Sequence, residues 1–389
     1  MPLAAAISGL GLAGLTRDTF VAPAELARQA VVAAAGDAGL PLGAIDGLVV
    51  CRTSAAGDAV LGLDLQRALG LRDLRLNRIT LCEGASALAA IQLAAMAVTC
   101  GMANTVACVF ADAPLAPDKK TGAAFGRLKT LSGMEGLRYS AGLFGGAATY
   151  ALSAARYLAL HALDETILAD VAITTRRWAE LNPGAVHRKP LTLDAYLNAR
   201  MIAEPLRLFD CSAPVNGSVA VIVTSPARAV DGAQPAVHIL ASADGHPGVP
   251  DRAGHDRILT HGGAIAGPAL FEATDLRPQD IDMGQFYDAF SIIPLLTLEA
   301  YGFHPPGEGR LAYRDGAAGP GGSGMPINTG GGHLSGYYLQ GMTPVAEAVI
   351  QARGQAGDRQ VPGIRRILVT NDGGRFDYHI GMILGTTGG

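Results

Sequence analysis

The chain has 389 residues, enough for two or three domains. Apolar residues make up 49% and charged residues 16%, too apolar a balance for a disordered chain, and a net charge of −4 leaves no basic block to meet a phosphate backbone, which argues against a nucleic-acid partner. No apolar run approaches about 18 residues without a polar break, so no membrane-spanning helix is predicted, and Met1–Thr16 lacks the positive lead of a signal peptide.

Met1–Thr16 instead opens the first strand, Ala5–Leu12. Apolar residues at helical spacing after Pro23 predict a helix over Ala24–Ala38. Gly47–Cys51 reads as a short buried strand, Ser86–Cys100 as an Ala-rich buried helix stopped by Gly101, and Thr105–Phe110 as another buried strand. This alternation predicts an α/β layered fold. From about Ala113 the composition shifts to Pro, Lys, Gly and Arg, followed by two helices, Ala147–Ala162 and Asp164–Leu181. From there to Arg207 the segment contains no convincing strand, which predicts a mainly helical insertion. Strand signal returns at Val219–Thr224, and Ser225–Pro235 reads as a linker.

The second part repeats the alternation. Strands are predicted at Val237–Ala241, Met283–Phe286 and Arg366–Thr370, and helices at Gly267–Thr274, Ser291–Tyr301 and Thr343–Arg353. The Gly319–Gly322 run reads as a flexible surface loop and has no phosphate-cradling pattern. Helix then strand over 86–110 resembles helix then strand over 343–370, a repeat of elements rather than identities.

The cysteines are Cys51, Cys82, Cys100, Cys108 and Cys211, an odd set without a CxxC pair. Neither a zinc site nor a disulfide framework is indicated, and a reduced cytoplasmic setting is expected. The only lysines are Lys119, Lys120, Lys129 and Lys189, so few groups are available for Schiff-base chemistry.

Five phrases point one way: RRWAELNPGA (176–185), RMIAEPLRLFDCSAPVNGS (200–218), FYDAFS (286–291), GGGHLSGYYLQGM (330–342) and VTNDGG (369–374). Together they resemble the thiolase superfamily, in its lipid-transfer-protein-like branch, over nearly the whole chain. The resemblance implies a thiolase fold of two similar halves, the first from 1–112 with 208–225 and the second from 234–389, and a loop domain at 113–207.

Thiolases use a nucleophilic Cys at a helix start, an Asn in an NEAF-type motif, a His in a GHP-type motif and a second Cys in a CxGG-type motif. Counted back from Cys100-Gly101, the nucleophile's position falls on Gly84, while Cys82 lies two residues early. Tyr287 replaces the Asn of the NEAF-type motif. Tyr338 occupies the His position of the GHP-type motif, with Tyr337 as its fallback. Asn371 replaces the second Cys. His333 falls on a spacer position.

Two tyrosines without a nucleophile resemble the thiolase-family aldolases of steroid side-chain degradation, which cleave a β-hydroxyacyl-CoA by a retro-aldol step and pair with a small OB-fold protein bearing a zinc ribbon. The resemblance therefore implies Tyr287 and Tyr338 as acid/base groups, helped by His333 or Asp288, although Asp288 also suits a helix cap. It implies an oxyanion pocket shaped by Gly84, Asn371 and Gly373, with Gly84 leaving room for a branched substrate. Coenzyme A enters as part of the substrate, its phosphates meeting Arg127, Lys129 and Arg138; no metal or other cofactor is expected. A homodimer is expected, with Thr105–Phe110 near its seam. Two alternatives stay open: a thiolase or acyltransferase using Cys82, and a non-catalytic acyl-CoA-binding scaffold subunit.

Overall fold

The computed structural model describes residues 3–52, 62–115, 133–248 and 256–386. The first half supplies strands β1 (Ala5–Thr16), β2 (Gly47–Arg52), β3 (Leu76–Leu81), β4 (Thr105–Asp112) and β7 (Asn216–Thr224). The second supplies β8 (Val237–Gly245), β9 (Met283–Gln285), β10 (Arg366–Gly373) and β11 (Tyr378–Gly385). These nine strands form one sheet in the order β3-β2-β4-β7-β1-β8-β11-β10-β9. The halves meet where β1 runs antiparallel to β8. Outward from that seam, each half places an antiparallel strand, another antiparallel strand and then a parallel one: β7, β4 and β2 on one side, β11, β10 and β9 on the other. The weak repeat of the sequence is thus a repeat of topology.

The helices follow their burial. α1 (Pro23–Asp37) and α2 (Gly62–Ala68) cover the outer face of the first half. α1 lies so close to β1 that a Cβ at Gly11 would run into the Ala30 carbonyl, which explains the glycines of that strand. α3 (Ser86–Thr99) and α11 (Met342–Ala352) share a core with the other face of the strands. α3 carries no charged residue, as befits a helix buried on most sides, and its alanines admit close sheet contact. α9 (Gly263–Thr274) and α10 (Ile292–Ala300) pack with α5 (Gly145–His161) and α6 (Thr166–Glu180) around a second large core. α4 (Gly133–Ser140) and α7 (Leu193–Leu197) complete the central segment.

Several expectations need correction. The segment before Arg207 is not strandless: β5 (Met201–Ala203) and β6 (Leu206–Arg207) form a two-stranded ladder too short to carry alternation. The expected linker contains a helical turn, α8 (Pro226–Val230), capped by Ser225. Strands β3 and β11 are not predicted from the residue pattern. β3 is mostly exposed, and β11 is a continuous apolar run interrupted by glycines. The glycine run is only partly a surface loop, since Ala318 and Gly319 are buried and Trp178 Nε1–H donates to the Ala318 carbonyl at 2.9 Å.

Candidate active site

The site lies where chain segments leave the sheet. Tyr287 closely follows β9, Asp372 and Gly373 end β10, and Gly84 sits in the turn between β3 and α3. The carboxyl ends of parallel strands are the usual place for a ligand site in such sheets. Tyr338 arrives from the loop before α11, pinned when its N–H donates to the Ala213 carbonyl at 3.0 Å. The Phe286 N–H donates to Asn328 Oδ1 at 2.7 Å, which fixes the residue just before Tyr287. Below, buried Asp210 accepts from Ser291 Oγ at 2.6 Å and from the Tyr196 hydroxyl at 2.7 Å, tying the 200–218 phrase to FYDAFS.

The two tyrosines meet. Their hydroxyl oxygens are 2.9 Å apart, and the Tyr287 hydroxyl also donates to Gln340 Oε1 at 3.1 Å. Tyr287 is buried and Tyr338 half-buried. Burial pushes both phenols well up from their ordinary value of about 10, and the mutual proximity of the pair raises Tyr287 further. Both are therefore protonated near neutrality. Tyr337 faces away into the other core, so the fallback assignment does not serve the site.

Gly84 is in place, but for a different reason than expected. A Cβ there would collide with the Tyr287 hydroxyl and the Asp372 carbonyl oxygen. The space left by the missing side chain is taken by Tyr287 itself rather than left for substrate. Gly373 likewise abuts the Cys82 carbonyl, with no room for a Cβ.

Asn371 is fully engaged. Its Oδ1 accepts from the Leu88 N–H at 3.1 Å, and its Nδ2 donates to the Gly341 and Thr370 carbonyls at 3.2 and 2.8 Å. Both amide protons are committed, so it locks α3 to the start of α11 rather than serving an oxyanion.

His333 and Asp288 form a buried pair, Nδ1 to Oδ1 2.8 Å, and Asp288 Oδ1 also accepts from the His333 N–H at 2.7 Å. Asp288 therefore holds the imidazole and does not cap the helix that follows. The His333 ring lies 4.7 Å from that of Tyr287 and 5.2 Å from that of Tyr338, centroid to centroid.

Tyr150, Gln340 and Asp372 were not singled out in the sequence. Tyr150 reaches in from α5, stacked on Phe290 at 4.7 Å, with its hydroxyl donating to the Arg375 carbonyl at 3.3 Å. Nothing in a single sequence marks it, since it arrives from a segment far from Phe290 and Arg375 along the chain. Arg127 and Lys129 lie outside the described residues; Arg138 falls in α4, of which only the main chain is described at that position.

Cys82 is half-buried at the site's edge. Burial, then the negative charges of Asp244 and Glu83, push its thiol upward, the opposite of what a thiolate nucleophile requires. Cys82→Ala is expected to leave turnover within a few-fold, measured by steady-state assay beside the parent enzyme.

Behind the site, His261, Asp372 and His379 could supply three ligands to a metal ion. Their hydrogen bonds give another account. The Gly263 N–H donates to His261 Nδ1 at 2.9 Å, which leaves the proton of the neutral ring on Nε2, 3.3 Å from Asp372 Oδ1. His379 Nδ1 is 2.7 Å from the same oxygen, and its Nε2 is 2.8 Å from the Tyr301 hydroxyl. The trio is thus a hydrogen-bonded relay bracing the Asp372 turn.

Burial pushes the His261 imidazole down to about 4. The unfolded chain binds this proton near pH 6.5 and the folded one resists it until about 4. The resulting stability is full above about 6.5 and lost as pH falls from there toward about 4, roughly 3 kcal/mol in all. Tm against pH should therefore fall less steeply in His261→Gln than in the parent over that window.

With this geometry established, the relatives are informative. A 17-hydroxy-3-oxo-4-pregnene-20-carboxyl-CoA lyase of Mycobacterium tuberculosis is 35% identical, over 94% of this chain and 95% of that one. A steroid side-chain-cleaving aldolase of Thermomonospora curvata is 31% identical over 95% of each. The chain belongs to the steroid side-chain aldolase family of the thiolase superfamily. The family model for thiolase C-terminal domain-like sequences matches residues 252–386. A solved Ltp2-ChsH2(DUF35) aldolase aligns with a TM-score of 0.87 at 31% identity, covering 99% of this chain and 98% of that one. Acetyl-CoA acetyltransferase from Syntrophomonas wolfei, 16% identical over 99% of this chain and all of its own, shares the fold with a TM-score of 0.71.

Proposed function

We propose that this chain is a carbon–carbon lyase that cleaves a β-hydroxyacyl-CoA, with a steroid side chain or a similarly branched acyl group, by a retro-aldol step without an enzyme thioester. The observation that carries the reading is the Tyr287–Tyr338 hydroxyl pair, 2.9 Å apart beside Gly84; the motif resemblance assigns these positions to a thiolase's Asn, His and nucleophile.

The reaction balances on these groups. The β-hydroxyl loses a proton, the Cα–Cβ bond breaks, a ketone leaves, and the thioester enolate gains a proton at Cα. The proton released equals the proton consumed, so two hydrogen-bonded tyrosines can pass it along without either becoming a free phenolate in water. Phenols whose pKa values are raised by burial suit such a relay and would be poor as isolated bases. The enolate oxygen is met near the N-terminal end of α3, where the helix dipole is positive.

Coenzyme A comes and goes as part of the substrate. The five cysteines are free thiols, which fits a reducing cytoplasm. No described helix is long and apolar enough to cross a membrane. The chain works as a homodimer in complex with a small OB-fold, zinc-ribbon protein. The Ltp2-ChsH2(DUF35) neighbour, which carries a second named component, supports the heteromeric part. For the homodimer seam, β3 is the better place: among the described residues its outer edge is unpaired, and Ile79 and Leu81 are 44% and 57% exposed.

Incubating the protein with β-hydroxyacyl-CoAs of graded branching, with and without the partner, tests the activity. A ketone and a shortened acyl-CoA in equal amounts are expected. Acyl transfer to free CoA, or binding without cleavage, would overturn it.

A further inference from the structure

A tyrosine hydroxyl has one proton to give, so the direction of a two-tyrosine relay depends on what else the hydroxyls touch. Here that is Gln340. Its Oε1 accepts from Tyr287 at 3.1 Å. An amide oxygen accepts and an amide nitrogen donates. With Oε1 committed to Tyr287, the Tyr287 proton points at Gln340, and the Tyr338 hydroxyl donates across the 2.9 Å contact to Tyr287.

Gln340 is itself held hard. It is buried and adopts a left-handed backbone, φ 52°, a conformation costly for a residue other than glycine and kept only where the surroundings enforce it. Two contacts enforce it. His333 Nε2–H donates to the Gln340 carbonyl at 2.7 Å, and the Thr343 N–H donates to the same oxygen at 3.2 Å. Behind His333 stands Asp288 at 2.8 Å, so this buried pair reaches the hydroxyl chain through the main chain of Gln340 and the ring faces.

We propose that Gln340 is a positioning residue of the reaction: its amide oxygen orients the Tyr287 hydroxyl and, through the 2.9 Å contact, that of Tyr338, and the His333–Asp288 pair acts on the chemistry by holding Gln340 in its left-handed turn. The assignment rests on the retro-aldol reading.

Three variants test it. Gln340→Met keeps length and burial and removes the amide; Gln340→Glu keeps an acceptor oxygen; neither changes the demand on φ. The expected result is a kcat lowered at least about tenfold in Gln340→Met with KM nearly unchanged, and largely recovered in Gln340→Glu. In a His333→Asn background, Gln340→Met should cost little more, because both changes act through one link. Full kcat in folded Gln340→Met, a Glu variant no better than Met, or additive losses would overturn the proposal. A crystal structure of Gln340→Met tests the same point without turnover. Loss of the 2.9 Å hydroxyl contact supports the assignment, and its persistence contradicts it, whatever the parent enzyme proves to cleave.

Discussion

Tyr287→Phe and Tyr338→Phe are each expected to lower turnover by on the order of 10²–10⁴, the usual scale for a general acid–base group. Phe keeps each ring and its packing against His333, so only the hydroxyl is lost. A hydroxyl that merely satisfied the core would cost about 1 kcal/mol of stability and leave activity nearly intact. Steady-state kinetics beside thermal melts separate the two outcomes. The loss should be found in kcat, and the double variant should fall well short of the product of the singles, because either change breaks the same relay.

The second large effect is expected at Gly84. Gly84→Cys restores the residue type a thiolase carries there, but its Cβ meets the Tyr287 hydroxyl on one side and the Asp372 carbonyl on the other. The Asp372 turn is braced by His261, His379 and Tyr301 and has little freedom to retreat, so Tyr287 must move. A displacement of about 1 Å in a reacting group costs on the order of 10² in rate, and overpacking a tight site costs roughly 1–3 kcal/mol of stability. Gly84→Cys should therefore lose lyase activity without gaining thiolase activity, as read by product analysis on β-hydroxyacyl-CoA and β-ketoacyl-CoA substrates. Gly84→Ala should behave similarly, which shows that the demand is steric.

Much of this was legible in the residues. Alternation and helical spacing placed β1, β2, β4, α1, α3 and α11 within a few residues, because each is buried on a face its pattern declares. β3 was missed because an edge strand with exposed Ile79 and Leu81 shows no inward stripe. The motif positions singled out Tyr287 and Tyr338, and the fold brings their hydroxyls together. Position alone could not say what fills the space beside Gly84, nor that both amide protons of Asn371 are committed to backbone carbonyls. Those are facts of three-dimensional contact, for Gly84 between segments about 200 residues apart. Gln340 was invisible for a related reason: a polar residue in a glycine-rich loop reads as solvent-facing until the fold closes His333 and the tyrosines around it.

The most direct test of the central claim is the cleavage of a β-hydroxyacyl-CoA with a fully substituted β-carbon by the Cys82→Ala protein in complex with its partner, products identified by mass spectrometry. The account predicts a ketone and a shortened acyl-CoA in one-to-one ratio, at a rate close to the parent's, with no free CoA consumed and no acyl group on the protein. Cleavage that requires added CoA, or that disappears with Cys82 while the protein remains folded, would contradict it.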